Sequence, residues 1–335
     1  MGVVIGTQAL GHVENGILAA FHGFELIPRG SQQFDMVLEN GNTLTAFGRN
    51  FVYKADGTVG GTITDFEETN EHGVIFHTSE FNLSASALFG FIADQRPLDL
   101  ASYMFAGDDR FVGTEDPNDG DVAAGFGGND TISTGGGADS IDGADGEDLL
   151  DGGDHNDVVL GERGSDEIYG GNDNDTLLGG AGLDTISGGE GNDIIFGGRD
   201  YDVLSGDAGD DIVYGDRGGD DIHDGAGNDT IFLGGGTGDI DWVYFSSGSG
   251  QDRVLQFDIE DGDQFRIESR INNTNIVDFA SLVGRITDDG HGDAIVDLGG
   301  GNYIRIVGVD RADIDASWFA FEAAPTTSLL GGAAA

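Results

Sequence analysis

The sequence predicts an all-β-dominated protein. A parallel solenoid of nine-residue repeats would sit between a β-rich N-terminal cap with short helices and a β-rich C-terminal domain. Three observations predict it: an aspartate recurs every nine residues through the middle third of the 335-residue chain, an aliphatic residue follows each aspartate two places later, and glycine crowds the stretches between. Self-similarity at a fixed short period is the mark of a solenoid, in which each unit buries its apolar side chain against its neighbours.

The repeats begin at Gly125, and twelve units run without insertion or deletion to Phe232. Their sixth position is always aspartate: Asp130, Asp139, Asp148, Asp157, Asp166, Asp175, Asp184, Asp193, Asp202, Asp211, Asp220 and Asp229. The eighth is always Ile, Leu or Val. The first is glycine in ten units, with Thr134 and Asp224 as the exceptions, and the fourth is glycine in nine, with His155, Asp173 and Asp200 in the others. The first six residues read as a turn, where glycine supplies positive φ and close backbone approach. The last three read as a short strand with one side chain pointing inward. Two units then make a coil of eighteen residues, and stacked coils give two parallel sheets around a thin core.

Units of equal parity become neighbours, so Asp130 lies over Asp148 and Asp139 over Asp157. Carboxylates stacked at about 4.8 Å repel one another. A hard divalent cation reverses that sign, and loop carbonyls can complete its oxygen shell. Six loops on each of two edges leave five gaps per edge, hence roughly ten Ca²⁺ sites. The charge agrees: residues 125–232 hold 27 acids against three arginines, half of the chain's net −48. Metal uptake and folding are then one event.

These residues closely resemble the RTX family, whose repeat is GGxGxDxUx with U aliphatic. The resemblance implies a right-handed parallel β-roll that binds calcium through the aspartates above. Both ends of the array decay in register, as capping coils do. Asp109 with Phe111, Asp241 with Val243 and Asp252 with Val254 keep the Asp-x-apolar arrangement and are additional candidate ligands. The roll is accordingly placed at 106–252.

The flanks read differently. In residues 1–105, apolar and polar positions alternate around turn signals at Glu39-Asn40-Gly41 and Ala55-Asp56-Gly57, which predicts antiparallel hairpins. LSASALFGFIADQ has helical spacing, and Pro97 opens a second short helical stretch. Residues 253–322 predict two hairpins, RVLQFDIEDGDQFRIES and DAIVDLGGGNYIRIVGV, closed by DRADIDASWFAF; the tail 323–335 reads as disordered. The C-terminal region resembles the segment that follows the repeats in type I secretion substrates, whose export signal is C-terminal. That fits an N-terminus with no Lys or Arg before Arg29.

Several function classes fall away. With 62 acidic and 14 basic residues, the chain repels nucleic acid and anionic membranes. Cysteine is absent, and no apolar run approaches a membrane span, which also disfavours a pore-forming toxin. His72 and His77 are five apart with no glutamate after the first, so they do not make the zinc-protease motif. His155 and His223 sit at repeat positions as ordinary substitutions, and Trp242 and Trp318 read as core or cap residues.

The sequence therefore predicts a secreted, non-enzymatic, calcium-binding protein. It would leave through a type I exporter, fold outside the cell, and act structurally or adhesively at the cell surface or in the matrix. Self-association or a cell-surface polysaccharide are its candidate contacts. The alternative is a small polysaccharide- or lipid-active enzyme whose N-terminal region is catalytic and whose roll serves export and stability.

Overall fold

The computed structural model describes the strands between residues 25 and 84 by their backbone, and residues 107–108, 110–113, 120–235 and 238–322 in full. It comprises two compact units, residues 1–182 and 183–335.

In the first unit, β1 (Glu25–Pro28), β2 (Gln33–Val37), β3 (Thr43–Tyr53), β4 (Val59–Asn70) and β5 (Gly73–Thr78) lie in sequence order as an antiparallel sheet, with β6 (Leu83–Ser84) also on β4. The residues of the turn signals at 39–41 and 55–57 lie outside the described residues, while the strands on either side of them pair antiparallel, β2 with β3 and β3 with β4. Of the stretch expected to be helical, Leu83 and Ser84 are in strand β6. The remainder, the Pro97 stretch and the tail lie outside the described residues.

The roll of this unit follows as β7 (Arg110–Val112), β8 (Val122–Ala124), β9 (Thr131–Ser133), β10 (Ser140–Asp142), β11 (Leu149–Asp154), β12 (Val158–Arg163), β13 (Glu167–Asn172) and β14 (Thr176–Ala181). Alternate strands pair in parallel, β7-β9-β11-β13 and β8-β10-β12-β14. Ser140 stands opposite Val158 and Leu149 opposite Glu167, the eighteen-residue coil that the period predicts.

The second unit repeats the plan with β15 (Thr185–Glu190), β16 (Ile194–Arg199), β17 (Val203–Ala208), β18 (Ile212–Arg217), β19 (Asp221–His223), β20 (Thr230–Phe232), β21 (Trp242–Phe245), β22 (Gln251–Leu255) and β23 (Gln264–Glu268). After α1 (Phe279–Leu282) come β24 (Ile286–Asp288), β25 (Ala294–Gly299), β26 (Asn302–Ile306) and β27 (Phe319–Glu322). One ladder runs β15-β17-β19-β21-β23-β27, all parallel. The other runs β16-β18-β20-β22-β26 in parallel and ends in the antiparallel pairs β26–β25 and β25–β24.

Two expectations change. Residues 253–268 form no hairpin: β22 and β23 lie in different ladders, each extending the solenoid by one rung. The loop FDIEDGD carries the chain across to the other sheet instead of folding it back. DAIVDLGGGNYIRIVGV does form a hairpin, β25–β26, with a bulge near Asp297. Strands in the middle coils are also longer than three residues. In β11 the ladder covers Leu149–Asp151, skips Gly152, and resumes at Gly153–Asp154. The chain bends at position one and then pairs again, with Gly153 at φ 103° making a turn that a side chain would resist.

The core is the row of position-eight residues. All twelve, from Ile132 to Ile231, are at most 1% exposed, and Phe111, Val243 and Val254 continue the row. Burying each contributes about 1.5–3 kcal/mol. The aromatic closing segment seals the end: Phe257 stacks on Phe265 at 4.6 Å, and Trp318 lies 5.2 Å from Phe257. Outside the sheet, Phe196, Tyr214 and Phe232 stack at 4.7 and 4.5 Å, because position nine repeats every second unit.

Candidate metal centres

Every position-six aspartate is placed at the end of a loop, one residue before its strand, and all twelve are buried. In Asp139, Asp148, Asp157, Asp166, Asp175, Asp202, Asp211, Asp220 and Asp229 one carboxylate oxygen is held by the coil before it. Asp130 N donates to Asp148 Oδ1 at 2.7 Å, Asp139 N to Asp157 at 2.7 Å and Asp148 N to Asp166 at 2.9 Å. In the second unit Asp184 N donates to Asp202 at 2.9 Å, Asp193 N to Asp211 at 2.8 Å and Asp211 N to Asp229 at 2.8 Å. The equal-parity pairing predicted from the period is present, with a peptide N–H between successive carboxylates as an element that the residue pattern alone does not reveal.

The other oxygen is the informative one. Oδ2 of Asp148, Asp157, Asp202, Asp211, Asp220, Asp229 and Asp252 is buried without a hydrogen-bond partner among the described residues. A buried, unmatched carboxylate oxygen is costly unless a cation meets it. Glycine at position one makes the room. A Cβ on Gly152 would stand 2.5 Å from Asp157 Oδ2 and 2.8 Å from Gly170 O; on Gly206 it would stand 2.5 Å from Asp211 Oδ2 and 2.6 Å from Asp224 O. A carboxylate oxygen of one coil and a carbonyl oxygen of the next thus converge on a cradle that only glycine leaves open. Hard oxygen donors of this kind, anionic and carbonyl together, fit calcium.

Electrostatics point the same way. Burial, reinforced by neighbouring aspartates, pushes the Asp148 and Asp202 carboxyls up to about 7 and those of Asp157 and Asp220 up to about 8. The amide of the preceding coil offsets part of this rise in each case.

The candidates outside the regular array divide. Asp241 and Asp252 continue the pattern, accepting from Asp220 N at 2.8 Å and Asp229 N at 3.1 Å. Asp109 lies outside the described residues. Three further acids join them. Asp121 donates its N–H to Asp139 Oδ1 at 2.6 Å, Asp263 accepts from Asp241 N at 3.0 Å, and Asp224 is fully buried beside Asp229 and Asp252. Asp121-Val-Ala123 and Asp263-Gln-Phe265 carry the Asp-x-apolar signal, hidden by irregular spacing, whereas Asp224 shows in the sequence as a break in the glycine column.

Thr134, the other break, behaves differently. Its hydroxyl is buried and donates to Gly152 O at 2.8 Å, taking up the carbonyl that would face the cradle of Asp139. Among the histidines, His155 adopts φ 83° at a glycine position, and His223 stacks on Tyr244 at 4.3 Å. Trp318 is in the core, and Trp242 carries the Arg266 guanidinium 3.5 Å over its ring.

Four copies of the family profile described as the RTX calcium-binding nonapeptide repeat match this chain, at residues 124–159, 151–186, 187–222 and 205–240. No curated protein matches this chain. Among solved structures, the extracellular lipase LipA from Serratia marcescens is similar over 56% of this chain and 40% of its own, at 18% identity and a TM-score of 0.28. The chain thus spans well under half of that enzyme, a likeness at which the lipase's activity does not carry over. Repeat register, ladder topology and family profile agree: residues 124–240 are RTX calcium-binding repeats wound as a parallel β-roll.

Proposed function

We propose that this is a secreted protein whose roll folds when it meets calcium outside the cell, and whose role at the cell surface or in the matrix is structural, adhesive or self-assembling rather than catalytic. The observation that carries the reading is the row of buried Oδ2 atoms facing carbonyls across side-chain-free glycines. The position-six aspartates are its ligands; in Asp148, Asp157, Asp202, Asp211, Asp220 and Asp229 one oxygen is held by an amide and the other is left for the ion. Without the cation, each rung keeps a desolvated carboxylate with like charges above and below, so the coils separate. With it, the same acids tie successive coils.

The twelve repeats set the scale at roughly ten ions, and the closed cradle at Thr134 lowers it by one. Export as an unfolded chain through a type I apparatus fits a roll that cannot close where calcium is scarce. Millimolar calcium outside matches the weak end of oxygen-ligand sites.

Circular dichroism across a calcium titration, with calorimetry for stoichiometry, tests this. The expected result is a cooperative gain of β signal with several ions bound per chain. A far-UV spectrum unchanged between excess chelator and millimolar calcium would overturn it. Light scattering on the same samples tests assembly: growth in size beyond that of a folded monomer supports self-association, and constant size refutes it.

A further inference from the structure

We propose that Asp224, Asp229 and Asp252 form a three-carboxylate site for one calcium ion, different in kind from the serial sites of the roll and tighter than any of them. This rests on the calcium reading above and adds a hierarchy to it.

The regular cradle is built by leaving a side chain out. At the head of the last regular unit the chain does the opposite, placing aspartate where ten of twelve units have glycine. Asp224 is 1% exposed, and one carboxylate oxygen from each of Asp224, Asp229 and Asp252 lies within 4.8 Å of the other two. Oxygens around one calcium, each about 2.3–2.6 Å from the ion, can stand about 5 Å apart at most. The three are therefore close enough together to enter one ion's first shell.

Oδ2 of all three aspartates is buried without a hydrogen bond. The Ser249 hydroxyl is wholly buried beside Asp252 and is a further oxygen at the site. The other oxygens of Asp229 and Asp252 are already positioned by the amides of Asp211 and Asp229, at 2.8 and 3.1 Å. Two ligands are thus fixed before the ion arrives, and Asp224 adds a third negative charge. Calcium affinity in oxygen sites rises with the number of charged ligands and with rigidity.

Asp224 also serves two sites. Its carbonyl faces Asp211 Oδ2 across Gly206, while its carboxylate faces Asp229 and Asp252. Asp252 belongs to β22, beyond the irregular connection that follows the array. The proposed ion therefore ties the last regular coil to the C-terminal rungs.

The test uses the full chain in calcium–chelator buffers, with bound calcium counted by elemental analysis. The wild type should keep one ion at free calcium at least about tenfold below the level at which the others leave. Asp224→Gly, which restores the regular glycine, and Asp224→Asn, which keeps the shape, should both lose that retained ion and keep the remaining sites. If the wild type binds several ions with no retained one, or either variant keeps it, this proposal alone is wrong. If the wild type takes up no calcium, the broader reading falls and carries this one with it.

Discussion

Thr134 and Asp224 stand at the same repeat position in different units and resolve the loss of glycine in opposite ways. Thr134 fills the place with a side chain whose hydroxyl donates to the facing carbonyl. Asp224 adds a carboxylate to a place that already holds two and leaves all three short of a partner. Regular units such as those headed by Gly152 and Gly206 lie between, with no side chain in that place. Position one thus decides which groups face the carboxylate of position six, while position six is the same in all twelve units.

Truncating the core should cost most, whatever position one holds. Leu204→Ala removes a fully buried side chain, should destabilise the calcium-bound roll by about 2–5 kcal/mol, and should raise the calcium midpoint seen by circular dichroism. Next, Gly206→Thr transplants the Thr134 solution into a regular unit, where a Cβ meets Asp211 Oδ2 at 2.5 Å. It should cost about 1–3 kcal/mol and one bound ion by calorimetry. An unchanged ion count would show that the glycine cradle is not a site.

Acidity gives a third test. The folded-state values of Asp157 and Asp220, about 8, and of Asp148 and Asp202, about 7, lie above the ordinary carboxylate value near 3.9. A raised acid favours the folded state fully below its unfolded value, and that contribution is lost as pH climbs through the folded one. In chelator, then, β signal should be larger at pH 4.5 than at pH 8. Calcium must displace those protons, so the calcium midpoint should rise from pH 8 to pH 6; a pH-independent midpoint would exclude the coupling. The smallest effect is expected of Thr134→Gly, which opens a cradle: one more ion, and stability within about 1 kcal/mol of wild type at saturating calcium.

The roll was legible because a solenoid repeats one solution by translation. A strict period of nine is enough to name the inward residue of every unit, and the structure buries all of them. Legibility fails where the translation does. Asp220 pairs with Asp241, Asp229 with Asp252 and Asp241 with Asp263, separations of 21, 23 and 22 residues in place of 18. Asp263 is invisible to a nine-residue ruler for that reason, and residues 253–268 look like a hairpin although they are two successive rungs. The amide that holds each carboxylate could not be read either, since every residue has an N–H and only the stacking says which carboxylate it meets. Asp224 was visible as an exception and Asp252 as a candidate ligand, but the irregular connection hides that the two meet.

The stacked rings of Phe196, Tyr214 and Phe232 carry an evolutionary consequence. A gene duplication of two units would slide another ring into the pile and leave both edges in phase. Duplicating a single unit would swap the two faces of everything downstream, turning that pile away from its fellows. Arrays of this design should therefore grow and shrink in steps of eighteen residues.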